Sequence, residues 1–301
     1  MIHVVPVPAS LDDRSLDALA QALPSWPPPA ERLLIDARGT TWASPYGLTS
    51  LLTLGQAMKE LNAPTPRLAV PDSHETRSYW TRIGFFHHAA EYFDLVGKVP
   101  KRPGEAPSDV LVPVTAIRAA SDVHEVVGRI QEGATRILTS ELKLEAKATM
   151  GFAMALSEAC QNVVEHAGTG GWVAVQTYFW KRRLGRKVAV ISVSDAGVGF
   201  RRSLESSEAK KVGDRWGDAA AIESALLHGV SRFRDAGRGQ GLAGIKRYLV
   251  RWQGKILIRS GTARVSVRPE WDDDVPLAEH LAFFPGSQLQ ITIPAQEASA
   301  R

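Results

Sequence analysis

The sequence predicts an α/β chain in two parts. A small α/β unit forms the first third, and a larger α/β sandwich follows, whose mixed, mainly antiparallel sheet carries helices on one face. Three observations predict this. The opening residues alternate strand and helix patterns in β-α-β-α-β order. Farther on, two long alternating stretches, Trp172–Arg182 and Lys187–Ser194, flank Leu184-Gly-Arg186 and read as a hairpin. Around that hairpin, a polar-faced helix and two glycine-rich turns put carboxylate, amide and backbone groups at the ends of elements, where a ligand site is built.

In chain order, Ile2–Val7 reads as a first strand, Leu11–Leu23 as a helix and Pro24–Pro29 as a turn. Arg32–Ala37 is a buried strand. Leu48–Leu61 is a helix whose Leu48, Leu51, Leu52, Leu54 and Met58 make an apolar face, and Arg67–Val70 is a short strand. Gly97–Ser108 is rich in Pro, Gly and charge and reads as a linker, so the expected division is 1–96, 97–108 and 109–301. Such a linker predicts that the first part moves relative to the second. Val110–Ile117 alternates like an edge strand, and Ser121 can cap a helix running to about Leu138.

The next helix begins near Leu144 and carries Ser157-Glu-Ala-Cys-Gln-Asn-Val-Val-Glu-His-Ala-Gly168. At roughly 100° per residue, Glu158, Asn162 and His166 climb one face, while Phe152, Leu156, Ala159 and Val163 form an apolar stripe. Alone, this pattern also fits an ordinary surface helix. Asp195-Ala-Gly-Val-Gly199 shifts the balance: an Asp closing a strand before glycines can accept a hydrogen bond from an exocyclic amine such as that of adenine. Gly197 and Gly199 permit positive φ and a close backbone. Gly237-Arg-Gly-Gln-Gly-Leu242 then frees backbone N–H groups toward anionic oxygens, with a helix over Leu242–Trp252 behind it. Gly239-Gln-Gly241-Leu-Ala-Gly244 also matches a dinucleotide fingerprint, but it lacks the preceding strand and the later acidic residue. No P-loop pattern occurs in the sequence.

Taken in this order, the three stretches resemble the ATPase family that includes gyrase, Hsp90, histidine kinases and MutL. Ser-Glu-Ala-x-x-Asn-x-x-x-His-Ala is most similar to the anti-sigma-factor type of protein serine kinase. The resemblance covers roughly residues 110–296 and implies a Bergerat-type ATP-binding sandwich with ATP and Mg²⁺ as cofactors. It implies Glu158 as general base, Asn162 as the Mg²⁺ ligand and Asp195 as the adenine reader. Gly237, Gly239 and Gly241 become the hinge of a phosphate-side lid, with His166, Gly197, Gly199 and Leu242 as further cofactor contacts. Leu33–Leu52 resembles the STAS domain of anti-anti-sigma factors, through Gly47-Leu48 opening its helix. Here Tyr46 stands where that family carries its phosphorylated serine and Ser44 where it carries an Asp, so the regulatory phosphosite is lost; a structural or docking STAS-like domain is the preferred reading, with Ser44 as a displaced acceptor the alternative.

The remaining connection, Phe200–Ala236, is long and charged and has one helix pattern, Asp218–Leu227. It reads as a lid on which Arg201, Arg202, Lys210 and Lys211 either reach phosphates or face solvent. Lys255–Arg259 and Ala263–Arg268 make the next hairpin, Glu270–Asp274 an acidic insertion and Gln288–Ile293 a last strand.

A net charge of +4 spread over 301 residues, with both signs interspersed, points to no nucleic-acid surface. The single cysteine, Cys160, excludes an internal disulfide and suits a small packed residue. His87-His88, His3 and His228 lack the helical or loop spacing of a zinc site. No apolar run reaches membrane-spanning length and no signal peptide opens the sequence, so a cytoplasmic protein with no membrane partner is expected. The expected partners are ATP and a regulatory protein, either a STAS protein or a sigma factor, and a homodimer is compatible with them. Three functions remain: a serine/threonine kinase of the partner-switching kind, a nucleotide-gated module that sequesters a partner without phosphotransfer, and an ATP hydrolase.

Overall fold

The computed structural model describes residues 2–28, 31–101, 111–118, 168–181, 184–230 and 241–295, with Gly128, Thr139, Ser140, Leu142, Lys143, Thr149, Ser157 and 159–164. The expected helix from Ser121 to Leu138 and most of the expected linker lie outside these residues.

The first part is a parallel sheet with helices. Strands β1 (Ile2–Pro6), β3 (Arg32–Asp36), β5 (Arg67–Ala69) and β6 (Asp94–Val96) lie in the order β1-β3-β5-β6, every pairing parallel. Leu33 and Ile35 are fully buried, as alternation along β3 requires. The helix expected over 11–23 is shorter, α1 (Leu16–Ala22). Ser10–Leu11 instead forms β2 and pairs with β4 (Trp42–Ala43). Asp12 enforces the break, because its Oδ1 accepts the backbone N–H groups of Arg14 and Ser15. Helices α3 (His74–Arg82) and α4 (Phe85–Ala89) fill a stretch in which the sequence reading saw no element.

Helix α2 (Pro45–Glu60) is the centre of the molecule. The expected apolar face is present, but every residue from Pro45 to Met58 is buried, not one face alone. Small residues let neighbours close in from several sides: a Cβ on Gly47 would strike Leu11, and one on Gly55 would strike Phe93 and Tyr92.

The second part is a seven-stranded sheet. It is built from β7 (Leu111–Ile117), β8 (Gly171–Trp180), β9 (Arg186–Asp195), β10 (Lys255–Gly261), β11 (Ala263–Val267), β12 (Leu277–Ala278) and β13 (Phe284–Pro294). The order is β12-β11-β10-β13-β9-β8-β7. The expected mainly antiparallel character holds, and in this sheet every pairing is antiparallel, because hairpins supply β8/β9 and β10/β11 and β13 returns between β10 and β9. On one face lie α5 (Gly199–Val212), α6 (Asp218–His228) and α7 (Gly241–Arg251). Their Leu204, Ile222, Leu226, Ile245 and Leu249 share one core with Ile191, Val193, Ile256, Ile258 and Ile291 of the strands.

The other face meets α2. Residues of opposite parity, Trp172, Ala174, Leu257 and Phe284, belong to the same buried cluster as the core of the first part. Thr49 Oγ1 bonds Ser192 Oγ at 2.7 Å, and the hydroxyls of Tyr79 and Tyr178 meet at 3.0 Å. At the far edge, Lys255 Nζ lies 2.9 Å from Asp13, 3.2 Å from Asp272 and 3.0 Å from Asp274. Arg259 and Arg264 share the carboxylate of Asp17 at 2.8 and 3.1 Å, and Arg264 also reaches Asp274 at 2.7 Å. These contacts correct the expectation of a first part that moves freely on a linker. Buried charges with partners on both sides of a junction hold it closed, since separating them would leave each to be rehydrated alone. The acidic stretch Glu270–Asp274 supplies part of this counter-charge. Among the described residues no helix is long and apolar enough to cross a membrane.

Candidate functional site

Asp195 closes β9 on the helix side of the sheet, with the same parity as Ile191 and Val193, and is 9% exposed. Its backbone runs between two glycines. On β13, Gly286 has φ of 70°, and a Cβ there would overlap the carbonyl of Asp195 and the Cα of Ala196. On β8, Gly171 stands in register with Asp195, and a Cβ there would strike the carbonyl of Ser194 and Val163 of the motif helix. Only glycine fits at either place. The carboxylate accepts the N–H of Gly197 at 2.9 Å and that of Ser287. Burial pushes it up to about 7, the two N–H donors pull against that, and the charge of Glu60 adds to the rise.

Past Asp195 the chain turns into α5. Gly199 adopts φ of 75°, as expected, whereas Gly197 is not among the positive-φ residues and acts through its N–H. Ser260 of β10 fixes the turn: its Oγ accepts the N–H of Phe200 at 3.2 Å and donates to Gly286 O at 3.1 Å. Asp218, first in α6, accepts both the N–H and the hydroxyl of Thr262 at 2.8 Å, tying that helix to the β10–β11 turn.

Asn162 is half-buried on the motif helix, and Val163 beside it is buried where the backbone opens into a wider π-type turn. Since Val163 lies against Gly171, and Gly171 against the backbone of Asp195, the motif helix packs beside the strand end that carries Asp195. Gly241 opens α7, and Leu242 anchors its first turn in the helix-side core. Glu158, His166, Gly237 and Gly239 lie outside the described residues. Cys160 is fully buried, and burial pushes its thiol up to about 12, consistent with packing. Arg201 and Arg202 are exposed on α5, where Leu204 and Glu208 are the buried positions.

The sequence reading missed Gly171, Ser260, Gly286 and Ser287. A signal existed for two of them: Phe284-Pro-Gly-Ser287 is turn chemistry placed directly before an alternating strand. A cavity of about 490 Å³, lined by Lys59, Glu60, Glu91, Arg118 and Trp172 among others, reaches this region at Thr169 and Gly171.

The model of the family described as histidine kinase-, DNA gyrase B- and HSP90-like ATPase matches residues 148–295. Residues 148–295 form a domain of this family. The matched segment contains Asn162, Asp195, Gly197, Gly199, Gly241 and Leu242, and it starts after the whole of the first part and β7. An ATP-binding role follows from the match. No curated protein matches the chain.

Proposed function

We propose that the protein is an ATP·Mg²⁺-dependent serine/threonine kinase of the partner-switching type, with an N-terminal unit related to STAS domains. The observation that carries the nucleotide reading is Asp195. It is a carboxylate at a strand end, buried, and among the described residues it accepts hydrogen bonds from backbone N–H donors, so lone pairs remain for an exocyclic amine. The adenine end of ATP fits these residues. Asn162 would hold Mg²⁺, which supplies neutralising charge to the phosphates, and Gly237, Gly239 and Gly241 would line them with backbone N–H groups. Glu158 would accept the proton of a substrate hydroxyl as its oxygen bonds the γ-phosphorus and the bond to ADP breaks.

The two positions of the first part that align with the STAS phosphosite do not suit that hydroxyl. Ser44 is 2% exposed and its Oγ caps α2 by accepting the N–H of Gly47 at 3.2 Å, while Tyr46 is fully buried. In this reading the substrate is a separate protein, a STAS protein or sigma-factor regulator. Incubation of the purified chain with γ-labelled ATP, Mg²⁺ and STAS proteins tests this. Label on a serine or threonine of the partner supports the kinase. Label only in free phosphate makes the protein a hydrolase, and nucleotide binding with neither makes it a sequestering module.

A further inference from the structure

Gln56 is the side chain by which the first part of the chain grips the edge of the candidate site. It lies near the C-terminal end of α2, 6% exposed, and both ends of its amide are engaged. Nε2 donates to the carbonyl of Thr169 at 2.7 Å and to Glu60 Oε1 at 2.9 Å, and Oε1 accepts the indole N–H of Trp172 at 2.9 Å. Thr169, Gly170 and Gly171 are the segment that enters β8 from the motif-helix side. Two of the three are glycines, so the segment has little side-chain packing of its own to hold it. Gly170, at φ of 73°, passes too close to the carbonyl of Ile117 for any Cβ, and Gly171 is wedged between Val163, Ser194 and Asp195. The amide that fixes this segment comes from more than a hundred residues earlier in the chain.

We infer that Gln56 is a positioning residue of the nucleotide site: by holding Thr169 and Trp172 it presses Gly170 and Gly171 against Asp195 and the motif helix. Docking of the first part thereby sets affinity at the adenine end. This rests on the nucleotide reading given above. The same docking face offers an internal comparison. Thr49 also bonds across it, but to Ser192 in the interior of β9, three residues before Asp195.

The test compares Gln56→Met and Thr49→Val in the full chain by two readouts. Without nucleotide, the ionisation of the Asp195 carboxyl carbon is followed by NMR, together with amide exchange at Thr169–Gly171. With nucleotide, ATP affinity is measured by calorimetry. Gln56→Met should lower the Asp195 midpoint toward the ordinary carboxylate range, speed exchange at Thr169–Gly171 and weaken ATP about fivefold, within the range seen for residues that couple sites without touching ligand. Thr49→Val should lower thermal stability to a similar degree and leave all three unchanged. If Gln56→Met does not fold, Gln56→Asn serves, since it adds no charge and its shorter amide cannot span to both Thr169 and Trp172. An unmoved Asp195 midpoint and unmoved exchange in the Gln56 variants, or equal changes in Thr49→Val, overturn the inference. If the unaltered chain binds no adenine nucleotide, the proposed function falls, while the Asp195 midpoint still decides whether Gln56 positions the strand end.

Discussion

Lowering the pH from about 8 to about 6 should weaken adenosine binding about tenfold. Burial pushes the carboxyl of Asp195 up to about 7, with Gly197 and Ser287 N–H pulling against it and Glu60 adding to the rise. Only the ionised form accepts at both oxygens with no proton of its own, leaving lone pairs beyond those used by Gly197 and Ser287 for the exocyclic amine. With a midpoint at about 7, roughly one site in eleven is protonated at pH 8 and roughly ten in eleven at pH 6, so apparent affinity falls about tenfold, or about 1.4 kcal/mol. The sign is opposite for folding. A carboxyl raised in the folded state gives stability that is fully present below about 4 and is lost as pH rises through about 7. Ligand binding should then release a proton near neutrality. Calorimetry in buffers of different ionisation enthalpy reads both the affinity and the proton. Adenosine is the ligand of choice, because it carries no phosphate titrating in this range. Asp195→Asn should bind about tenfold to a hundredfold more weakly at pH 8 and show no pH slope. A flat profile in the unaltered chain, or a folded Asp195→Asn that binds normally, would refute the adenine assignment.

Other outcomes follow from the same geometry. Glu158→Gln should keep ATP binding and lose turnover, whereas Asn162→Ala should weaken binding only when Mg²⁺ is present; equal losses in both variants with and without Mg²⁺ would count against these roles. Gly286→Ala should destabilise the chain by roughly 2 kcal/mol or more in urea unfolding, because a side chain at that φ also overlaps Asp195. A fragment of residues 108–301 should be poorly soluble, since it uncovers Leu257 and Phe284, each worth roughly 1.5–3 kcal/mol of burial, and strips Lys255 and Arg259 of Asp13 and Asp17; a soluble, monomeric fragment on sedimentation would contradict the shared core. Burial would raise Asp274, but Lys255 and Arg264 hold it below its usual value. Its stabilisation is therefore present above about 4 and lost as pH falls, so the β10–β11 corner that holds Lys255 and Arg264 should loosen in acid, read by tryptophan fluorescence against Lys255→Met.

Local pattern carried much of this fold. Strand alternation gave β8 and β9 to within two residues, and Asp195 sits at the strand end where that pattern put it. Helix α5 was not legible, because Leu204 is its one buried apolar residue and the rest of Arg201–Lys211 is mostly polar or charged. The docking was not legible either. The α2 face that meets the large sheet is made of Thr49, Thr53 and Gln56, residues that a hydrophobic pattern assigns to solvent, and its partners are fixed only by the tertiary fold. Likewise Asp272 and Asp274 look like a solvated acidic run until Lys255 and Arg264 are seen beside them. At the site, Gly171 and Gly286 escaped because what they do is make room for a strand far away in sequence.

The buried position of α2 also bears on how the protein is made. All four strands of the parallel sheet and α2 are synthesised before any strand of the larger sheet, so the first part can fold while the rest is still on the ribosome. During that wait its open flank shows hydroxyls and an amide from Thr49, Thr53 and Gln56, which water solvates well, between the rings of Trp42 and Tyr92 that later meet Tyr178 and Trp172. The apolar flank, with Trp172, Leu257 and Phe284, emerges later and finds its cover already built. A nascent chain stopped after Val96 should therefore stay soluble and monomeric on sedimentation. Aggregation of that early product would show instead that the two flanks must be made together.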